Sequence, residues 1–433
     1  MNFKVPADQR NSDGSEGTEH TVSSLFGRLT YDYQEKYLMQ ALIRRDGSSR
    51  FGANNKYGVF PSFLLGWVAS KENFFPINSH INFLKVRGGY GVVGNDNIGD
   101  FAFISTVGSG RNYTIGTSGS YTIGYSPNAP SNPNLKWEQT SNMNIGFDAV
   151  IFDNFNVTFE WFNKKTTDIL QNPRIPGYVG AISNPAANIG SMKNTGVELE
   201  LGYRKRLGEL NFSVAGNISW MENEVTFLGN NVQYLSGGTG FQSTTYPITR
   251  TAVGEAVNSF YGFKTLGIFQ NQAEVDAYVS KNGTKIQPNA KPGDFKWMDK
   301  NENGVIDEAD RMFIGDPTPN WTYGFTINLD YKGFDAVIFG QGAAGNQIFQ
   351  GLRRLDIGNA NWQTKALGRW TGEGSSYTHP RLNIDDPNKN FTNPSDFYLE
   401  DGGYFRLKTL QIGYSLPNSL IKKQACRRRV FTS

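Results

Sequence analysis

The chain has 433 residues, 49 of them glycine, and a formal net charge of +3 at pH 7. A charge so close to neutral argues against a nucleic-acid partner, and the single cysteine, Cys426, excludes an intrachain disulfide. No run of about 18 apolar residues is present, which excludes a membrane-spanning helix. Residues 1–21 are polar, lack the apolar segment of a signal peptide, and are expected to form a loop.

Apolar and polar residues alternate in many segments after residue 22. The clearest are residues 84–92, 144–149, 155–161, 197–204, 210–220 and 321–331. A period of two residues predicts β-strands with one apolar and one polar face. Several of these segments run about ten residues, which is the length a tilted strand needs to cross a bilayer.

Residues 210–220 show the alternation most strictly. One parity is apolar and predicted to face lipid: Phe212, Val214, Ile218 and Trp220. The other parity is polar and predicted to face inward: Asn211, Ser213, Asn217 and Ser219.

Aromatic residues gather at the strand ends, and the connections between strands differ greatly in length. Trp321 and Tyr323 open one strand and Tyr331 closes it, before a tight Lys332-Gly333 turn. The long polar connections are roughly 94–135, 171–194, 229–252 and 343–401. Aromatic girdles, with short turns at one end and long loops at the other, are typical of outer-membrane barrels. A soluble β-sandwich also alternates, so the pattern alone leaves both architectures open.

The segment 299–310, DKNENGVIDEAD, spaces oxygen ligands much as a calcium-binding loop does. The candidate ligands are Asp299, Asn301, Asn303, the Val305 carbonyl, Asp307 and Asp310. The following segment alternates with period two, so we expect the loop on a β scaffold and not between helices. The last ligand is Asp and not the longer Glu, so we expect calcium to bind weakly and to have a structural role in the loop. The alternative is an Asx-rich turn without metal.

No catalytic constellation is evident, and we predict that the chain is not an enzyme. His20, His80 and His379 are far apart in sequence, and no phosphate-binding loop or nucleophile elbow is present. Aromatic side chains in the long loops are the candidate ligand contacts, since such faces stack on sugars or bury peptide side chains. They are Tyr113, Tyr121, Tyr125, Tyr234, Phe241 and Trp362. Ordinary loop packing is the alternative role for each.

A series of motifs, in one order and spacing, resembles the barrel signature of SusC/RagA-type TonB-linked transporters. These motifs are RDGSSRFG at 45–52, GVFPS at 58–62, LKVR at 84–87, PNLKWE at 133–138, NTGVE at 194–198, SFYGF at 259–263, GIFQ at 267–270, PGD at 292–294, IGDP at 314–317 and LEDGGYFRL at 399–407. The resemblance runs from about residue 22 to about residue 423. It implies an antiparallel transmembrane β-barrel in the outer membrane that imports oligosaccharides or peptides. It also implies energy from TonB, delivered through a segment missing here, and a SusD-like surface lipoprotein as a lid.

Two departures from the family pattern predict an incomplete barrel. No plug domain or early barrel strand is recognisable, and the Arg-rich residues 424–433 do not fit the expected closing strands. We therefore expect residues 22–423 to form an open part of a plugged barrel, which in full has about 22 strands. The chain alone is then expected to be a non-functional fragment. The alternative is a soluble or surface-anchored calcium-stabilised β-protein that binds glycans.

Overall fold

The computed structural model describes residues 19–76, 80–114, 121–173, 175–229, 232–241, 246–352, 361–416 and 430–432. Twelve strands, numbered here along the chain, form one antiparallel sheet in which sequence neighbours pair. Their bounds are β1 Val22–Tyr33, β2 Tyr37–Ser48, β3 Tyr57–Val68, β4 Ile81–Asn95, β5 Glu138–Ile151, β6 Phe155–Thr167, β7 Ser191–Leu207, β8 Leu210–Phe227, β9 Trp321–Tyr331, β10 Phe334–Ala344, β11 Tyr404–Ser415 and β12 Val430–Thr432. The predicted antiparallel all-β fold is confirmed.

The sheet is open. Within the described residues β1 pairs only with β2, and β12 pairs only with β11, so the two edges do not meet. The open sheet agrees with the prediction that residues 22–423 form an open part of a barrel. Most of the predicted lead-in (1–21) and tail (424–433) lies outside the described residues, and those two boundaries stay predictions. Within the described ranges, no helix combines the length and the apolar character needed to span a membrane.

Short turns and long loops lie at opposite ends of the sheet. Lys332 and Gly333 both have positive φ (50° and 87°), as a two-residue hairpin turn of the primed type requires. The long connections, 96–137, 168–190, 228–320 and 345–403, all follow even-numbered strands and so share the other end. The third is longer than the predicted 229–252, because the strands Ser259–Gly262 and Met312–Gly315 belong to a separate sheet within the loop.

The predicted two-faced character of the strands is confirmed by cross-strand contacts. On the polar face, Asn328 Nδ2 of β9 donates to Ser213 Oγ of β8 at 3.2 Å. On the apolar face, the rings of Tyr203 in β7 and Phe212 in β8 lie 6.0 Å apart. Antiparallel pairing in register joins polar to polar and apolar to apolar positions, so the alternation of each strand becomes a property of the sheet.

The polar face carries charges that lipid would not tolerate. Arg87 of β4 pairs with Asp148 of β5 at 3.3 Å and with Glu160 of β6, and Asn144 donates to Glu160 at 3.1 Å. Such a cluster requires water or further protein beside it. The polar face therefore lines the inside of the barrel wall.

Aromatic side chains lie at both ends of the apolar face. Trp220 and Trp321 face each other at the loop end of β8 and β9. At the turn end, the rings of Phe334 and Tyr414 lie 4.4 Å apart, next to Tyr331. Amphipathic rings at these two levels are typical of the two membrane–water interfaces.

The loops contain further secondary structure and together form what we call the loop layer. A four-stranded sheet, here called the loop sheet, consists of Tyr234–Gly240, Pro247–Ala252, Ser259–Gly262 and Met312–Gly315. Paired short strands are Thr265–Ile268 with Phe295–Trp297, Gln347–Phe349 with Leu399–Asp401, Leu170–Gln171 with Ala187–Asn188, Val107–Ser109 with Tyr125–Pro127, and Tyr113–Thr114 with Tyr121–Thr122. The helical segments described in the loop layer are α1 Gln272–Ala277 and the 3-10 turns Gly177–Val179, Glu308–Asp310, Thr364–Gly368 and Asp396–Tyr398, and a further 3-10 turn, Ala69–Lys71, lies at the opposite end of the sheet between β3 and β4.

The buried apolar clusters lie in the loop layer and not on the apolar face of the twelve-stranded sheet. One cluster joins Phe263, Ile268, Phe295 and Trp297, all at most 7% exposed. On the sheet itself, by contrast, Phe63, Leu65 and Ile412 are each at least half exposed. A soluble sandwich would bury that face against a second sheet. The soluble alternative is therefore wrong for this architecture.

We expect Val214→Arg to destabilise the complete protein in lipid by about 2–4 kcal/mol, because Val214 lies mid-strand on the apolar face. Ser213→Arg, on the polar face one residue away, is the matched control and should cost much less. Urea titration of refolding in lipid vesicles measures both. Equal losses for the two variants would contradict the assignment of the faces.

Candidate functional site

A cavity of about 540 Å³, here called the loop cavity, lies within the loop 345–403. Pairing of Gln347–Phe349 with Leu399–Asp401 ties this loop back to the ends of β10 and β11. The 3-10 turn Thr364–Gly368 supplies part of one wall. The cavity is within the size range of small-molecule sites.

Aromatic rings form the main wall of the loop cavity. The ring of Phe391 lies 5.5 Å from Trp362 and 6.0 Å from Phe397, and the ring of Phe397 lies 5.1 Å from Tyr398. Edge-to-face contacts at these distances are favourable and fix the ring orientations. The Tyr398 hydroxyl donates to the Phe391 carbonyl at 2.7 Å, which satisfies its buried polar atom. Ring contacts and this hydrogen bond thus join the residues of the wall, while Trp362 is 40% exposed and presents accessible surface to a ligand.

His379 adds one polar atom to this aromatic wall. Its Nδ1 lies 3.2 Å from the Pro380 carbonyl, which can only accept, so Nδ1 carries the proton and Nε2 is an acceptor. Burial lowers the pKa of His379; the Pro380 carbonyl opposes this, and the charge of Arg369 adds to it. The imidazole is therefore neutral at pH 7.

Charged and amide side chains border the cavity. Lys365 forms an ion pair with Glu400, and both side chains are well exposed. Gln350 Nε2 donates to Gln363 Oε1 at 3.1 Å. Aromatic faces with donors and acceptors beside them can stack a ring and hydrogen-bond its polar substituents at the same time.

A buried ion pair holds the cavity wall in place. Asp294, fully buried, accepts from Arg381 Nε at 2.7 Å and Arg381 Nη2 at 3.0 Å, and Asn390 Nδ2 donates to it at 2.8 Å. The Arg381 amide also donates to the Gly293 carbonyl at 2.8 Å. Because Arg381 is two residues from His379, this contact positions the histidine.

Gly293 is required by the same contact. Its φ is +91°, and a Cβ there would lie 2.4 Å from the Trp370 ring. Only glycine allows both this backbone conformation and the close packing. The PGD motif at 292–294 therefore has a structural role in the loop layer.

The segment 299–310 folds as a tight loop whose side-chain oxygens accept from its own backbone amides. Asp299 Oδ2 accepts from Gly304 N at 2.8 Å, and Asn303 Oδ1 accepts from Val305 N at 3.0 Å. Asp310, fully buried, accepts from the amides of Lys300 at 2.9 Å and Asp307 at 2.8 Å. No group of three His, Cys, Asp or Glu side chains within the described ranges is arranged to hold a metal, so any ion here would need the loop's amide and carbonyl oxygens.

The structure places the six predicted ligand-contact aromatics in different settings. Tyr113 and Tyr125 are 75% and 67% exposed in the loop 96–137, and Trp362 lines the loop cavity. Tyr234 stacks on Arg250 in the loop sheet. Phe241 is 7% exposed and packs on Phe349 and Tyr398, so its faces are already covered. Tyr121 begins the short strand Tyr121–Thr122, and its side chain lies outside the described part of the chain.

Sequence reasoning did not identify several important residues of this region. His379, Asp294 and Arg381 were not singled out as a set, because Asp294 lies 87 residues before Arg381 in the sequence and meets it only when two loops pack together. The PGD motif was the one available signal. Sequence reasoning also did not identify Arg250 and Arg311, which are 61 positions apart and come together over the Tyr261 ring only in the folded loop sheet.

We expect Asp294→Ala to loosen the loop layer and leave the twelve-stranded sheet intact. The substitution would leave the Arg381 guanidinium without its carboxylate partner, and breaking a buried ion pair in this way costs about 3 kcal/mol or more. Hydrogen exchange of the complete protein should show faster exchange near Phe263, Trp297 and Phe397. Asp276→Ala, which removes an exposed pair with Lys285, is the control and should change little. Unchanged protection in Asp294→Ala would show that the pair does not hold this layer.

Comparison with known proteins identifies the family. Residues 2–425 match the family model described as "TonB dependent receptor-like, beta-barrel". The chain is 34% identical over 410 residues to TonB-dependent receptor P3 of Formosa agariphila, covering 94% of this chain and 39% of the relative. It is 29% identical over 411 residues to TonB-dependent receptor SusC of Bacteroides thetaiotaomicron, covering 93% of this chain and 38% of that one. The chain thus spans about two fifths of the length of these relatives.

A solved structure has the same fold. The RagAB peptide transporter superposes with a TM-score of 0.72 at 24% identity, covering 96% of this chain and 45% of that one. The matched sequence, the two-faced sheet and the loops gathered at one end all indicate the same β-barrel family. The chain therefore belongs to the TonB-dependent receptor-like β-barrel family of the outer membrane, and its resemblance to SusC/RagA-type transporters is confirmed.

Proposed function

We propose that this chain forms part of an outer-membrane importer for oligosaccharides or peptides, and that the loop cavity contacts the substrate. The observation that carries this is the combination of a polar-faced barrel wall with an aromatic cavity in the loops at one end. Such loops meet the substrate before it enters the barrel. The open sheet cannot close a barrel within the described residues, so we propose that it acts within a longer receptor.

Both substrate classes fit the aromatic wall. Trp362 offers a flat surface on which a pyranose ring or an apolar peptide side chain can stack, and Gln350, Lys365 and Glu400 can bond polar groups beside it. RagAB, which shares the fold, is described as a peptide transporter.

The family also suggests the partners of the complete receptor. We propose that TonB supplies the energy for import and that a SusD-like lipoprotein covers the loop layer. Exposed aromatic side chains such as Tyr113 and Tyr125 are available to such a lid. We propose binding and transport and not catalysis, because the matched family model and relatives are TonB-dependent receptors.

We expect Trp362→Ala in the complete receptor to weaken substrate binding by roughly 2- to 12-fold, which corresponds to about 0.5–1.5 kcal/mol of aromatic contact. Calorimetry against neutral oligosaccharides and peptides of similar size would measure it and show which class binds. Tyr178→Ala, an exposed aromatic residue of the loop 168–190 that has no proposed contact with substrate, is the control. If neither class bound, or if Trp362→Ala bound as well as the native receptor, the loop cavity would not be the substrate site.

We further propose that the loop 299–310 binds calcium as a structural ion. The supporting observation is that Asp299, Asn301 and Asn303 all direct side-chain oxygens at backbone amides inside the tight turn at Gly304, whose φ is +88°. Hard oxygen ligands of this kind are those calcium takes. Asp310 reaches the same turn from its C-terminal end.

We expect Asp299→Ala to abolish calcium binding and to speed hydrogen exchange of residues 294–314, while exchange in the barrel strands stays unchanged. The strand ladder does not depend on the ion. Glu302→Ala is the control, because Glu302 lies in the same loop at a position whose side chain pairs with Lys281. Identical exchange with and without millimolar calcium in the native receptor would rule out a structural ion.

A further inference from the structure

Two arginines of the loop sheet lie on one tyrosine ring. The Cζ of Arg250 is 3.5 Å from the Tyr261 ring centroid, and the Cζ of Arg311 is 4.8 Å from the same centroid. The other side of each guanidinium also meets a ring: Tyr234 at 3.7 Å for Arg250 and Tyr246 at 4.9 Å for Arg311. The two cations are therefore held close together by four stacking contacts.

Arg311 contributes charge and is itself inaccessible. Its side chain is 1% exposed, and Nη2 donates to the backbone carbonyls of Pro247 and Tyr261. Among the residues that the structure describes, its one carboxylate neighbour is Glu308, which is 3.7 Å away and mostly in solvent. Burial lowers the pKa of Arg311, and the charge of Arg250 adds to this effect. The loop sheet thus contains a positive charge that is poorly neutralised from within.

Arg250 is the accessible member of the pair. The residue is half-buried, and its side chain forms no ion pair or hydrogen bond with another residue in the described ranges. Its Nε is buried and unpartnered, as is that of Arg311. Because both faces of Arg250 are covered by rings, only the edge of its guanidinium is available, and that edge carries its N–H donors.

We propose that Arg250 is a subsite for an oxyanion, either carboxylate or sulfate, carried by a sugar of the imported molecule. A guanidinium edge bonds such oxyanions through two parallel N–H donors, and the field of Arg311 strengthens the interaction. Tyr234 stands beside this edge and is 43% exposed, which provides a surface for the ring that bears the acidic group. A peptide carboxylate sits on a flexible chain and would make no use of that adjoining ring. The subsite is therefore one for an acidic oligosaccharide.

The loop sheet and the loop cavity are joined by packed rings, so the two features form one continuous packed region. Phe241, at the end of the loop sheet, lies 4.7 Å from Tyr398 of the cavity wall. Phe260 of the loop sheet lies 6.0 Å from Phe349, which also stacks on Tyr398. The proposal rests on the proposed import function, since it specifies the substrate class that function left open.

The test compares the complete receptor with Arg250→Gln, Arg250→Lys and the control Arg111→Gln, an exposed arginine of another loop. The probes are a hexamer of galacturonate, a sulfated hexasaccharide, a neutral maltohexaose and an acidic hexapeptide, each titrated by calorimetry at low salt. We expect the native receptor to bind an acidic sugar at least tenfold more tightly than the neutral one. Arg250→Gln should remove that preference, and Arg250→Lys should restore it in part, because lysine keeps the charge but not the planar fork.

The outcomes separate this proposal from the import function. Equal affinity of the native receptor for acidic and neutral sugars, or a preference that survives Arg250→Gln, overturns the subsite while import stands. An acidic peptide that alone depends on Arg250 overturns the sugar assignment. Binding of an acidic sugar that depends on Arg250, in a receptor that imports none of the four probes, supports the subsite and counts against import. Because Arg250→Lys retains the stacked cation, loss of binding in Arg250→Gln with partial recovery in Arg250→Lys excludes simple collapse of the loop sheet.

Discussion

Backbone hydrogen bonding in hydrocarbon is the constraint on which the rest of this structure depends. A strand that faces lipid must pair every amide and carbonyl with a neighbouring strand, because an unpaired group there costs several kcal/mol. Strands β2 to β10 meet this requirement by pairing on both sides in antiparallel registers, whereas the outer edge of β1 and most of the outer edge of β11 have no partner strand within the described residues. That ladder leaves one face for lipid and one for the barrel interior, so the wall has no apolar core of its own.

The absence of a core in the wall explains where the packing energy lies. The buried cluster around Trp297 lies in loops beyond the strand ends, and the cluster around Leu135 joins loop residues to Phe60 near the loop end of β3; polar contacts border each cluster. Around Trp297 these include the Asp294–Arg381 pair and the indole N–H donated to the Asn388 carbonyl at 2.9 Å. The loop layer therefore resembles a small globular domain built on the rim of a membrane sheet. Its rigidity is what holds the aromatic wall of the loop cavity in a fixed geometry.

Much of the wall could be predicted from the sequence, because strand alternation is a local signal. The faces of residues 210–220, the Lys332-Gly333 turn and the aromatic ends each follow from a few consecutive residues. The loop layer was harder, because its contacts join residues far apart in the chain. Phe241 illustrates the difficulty. An aromatic residue in a polar loop is expected to be exposed, but Phe241 is buried against Phe349 and Tyr398. Arg250 and Arg311 are likewise unremarkable in sequence, and their proximity follows from the folding of the loop sheet.

The location of the packed cores beyond the membrane has a consequence for how such receptors can diversify. Because the loop layer has its own buried interior, its sequence can change as a block without disturbing the lipid-facing ladder below it. Two short junctions, at the end of β8 with the start of β9 and at β10 with β11, connect most of this block to the wall. Exchange of the two loops, 228–320 and 345–403, would transfer a whole recognition surface from one barrel to another. Specificity could then evolve by recombination at the rim, while the membrane wall stays constant.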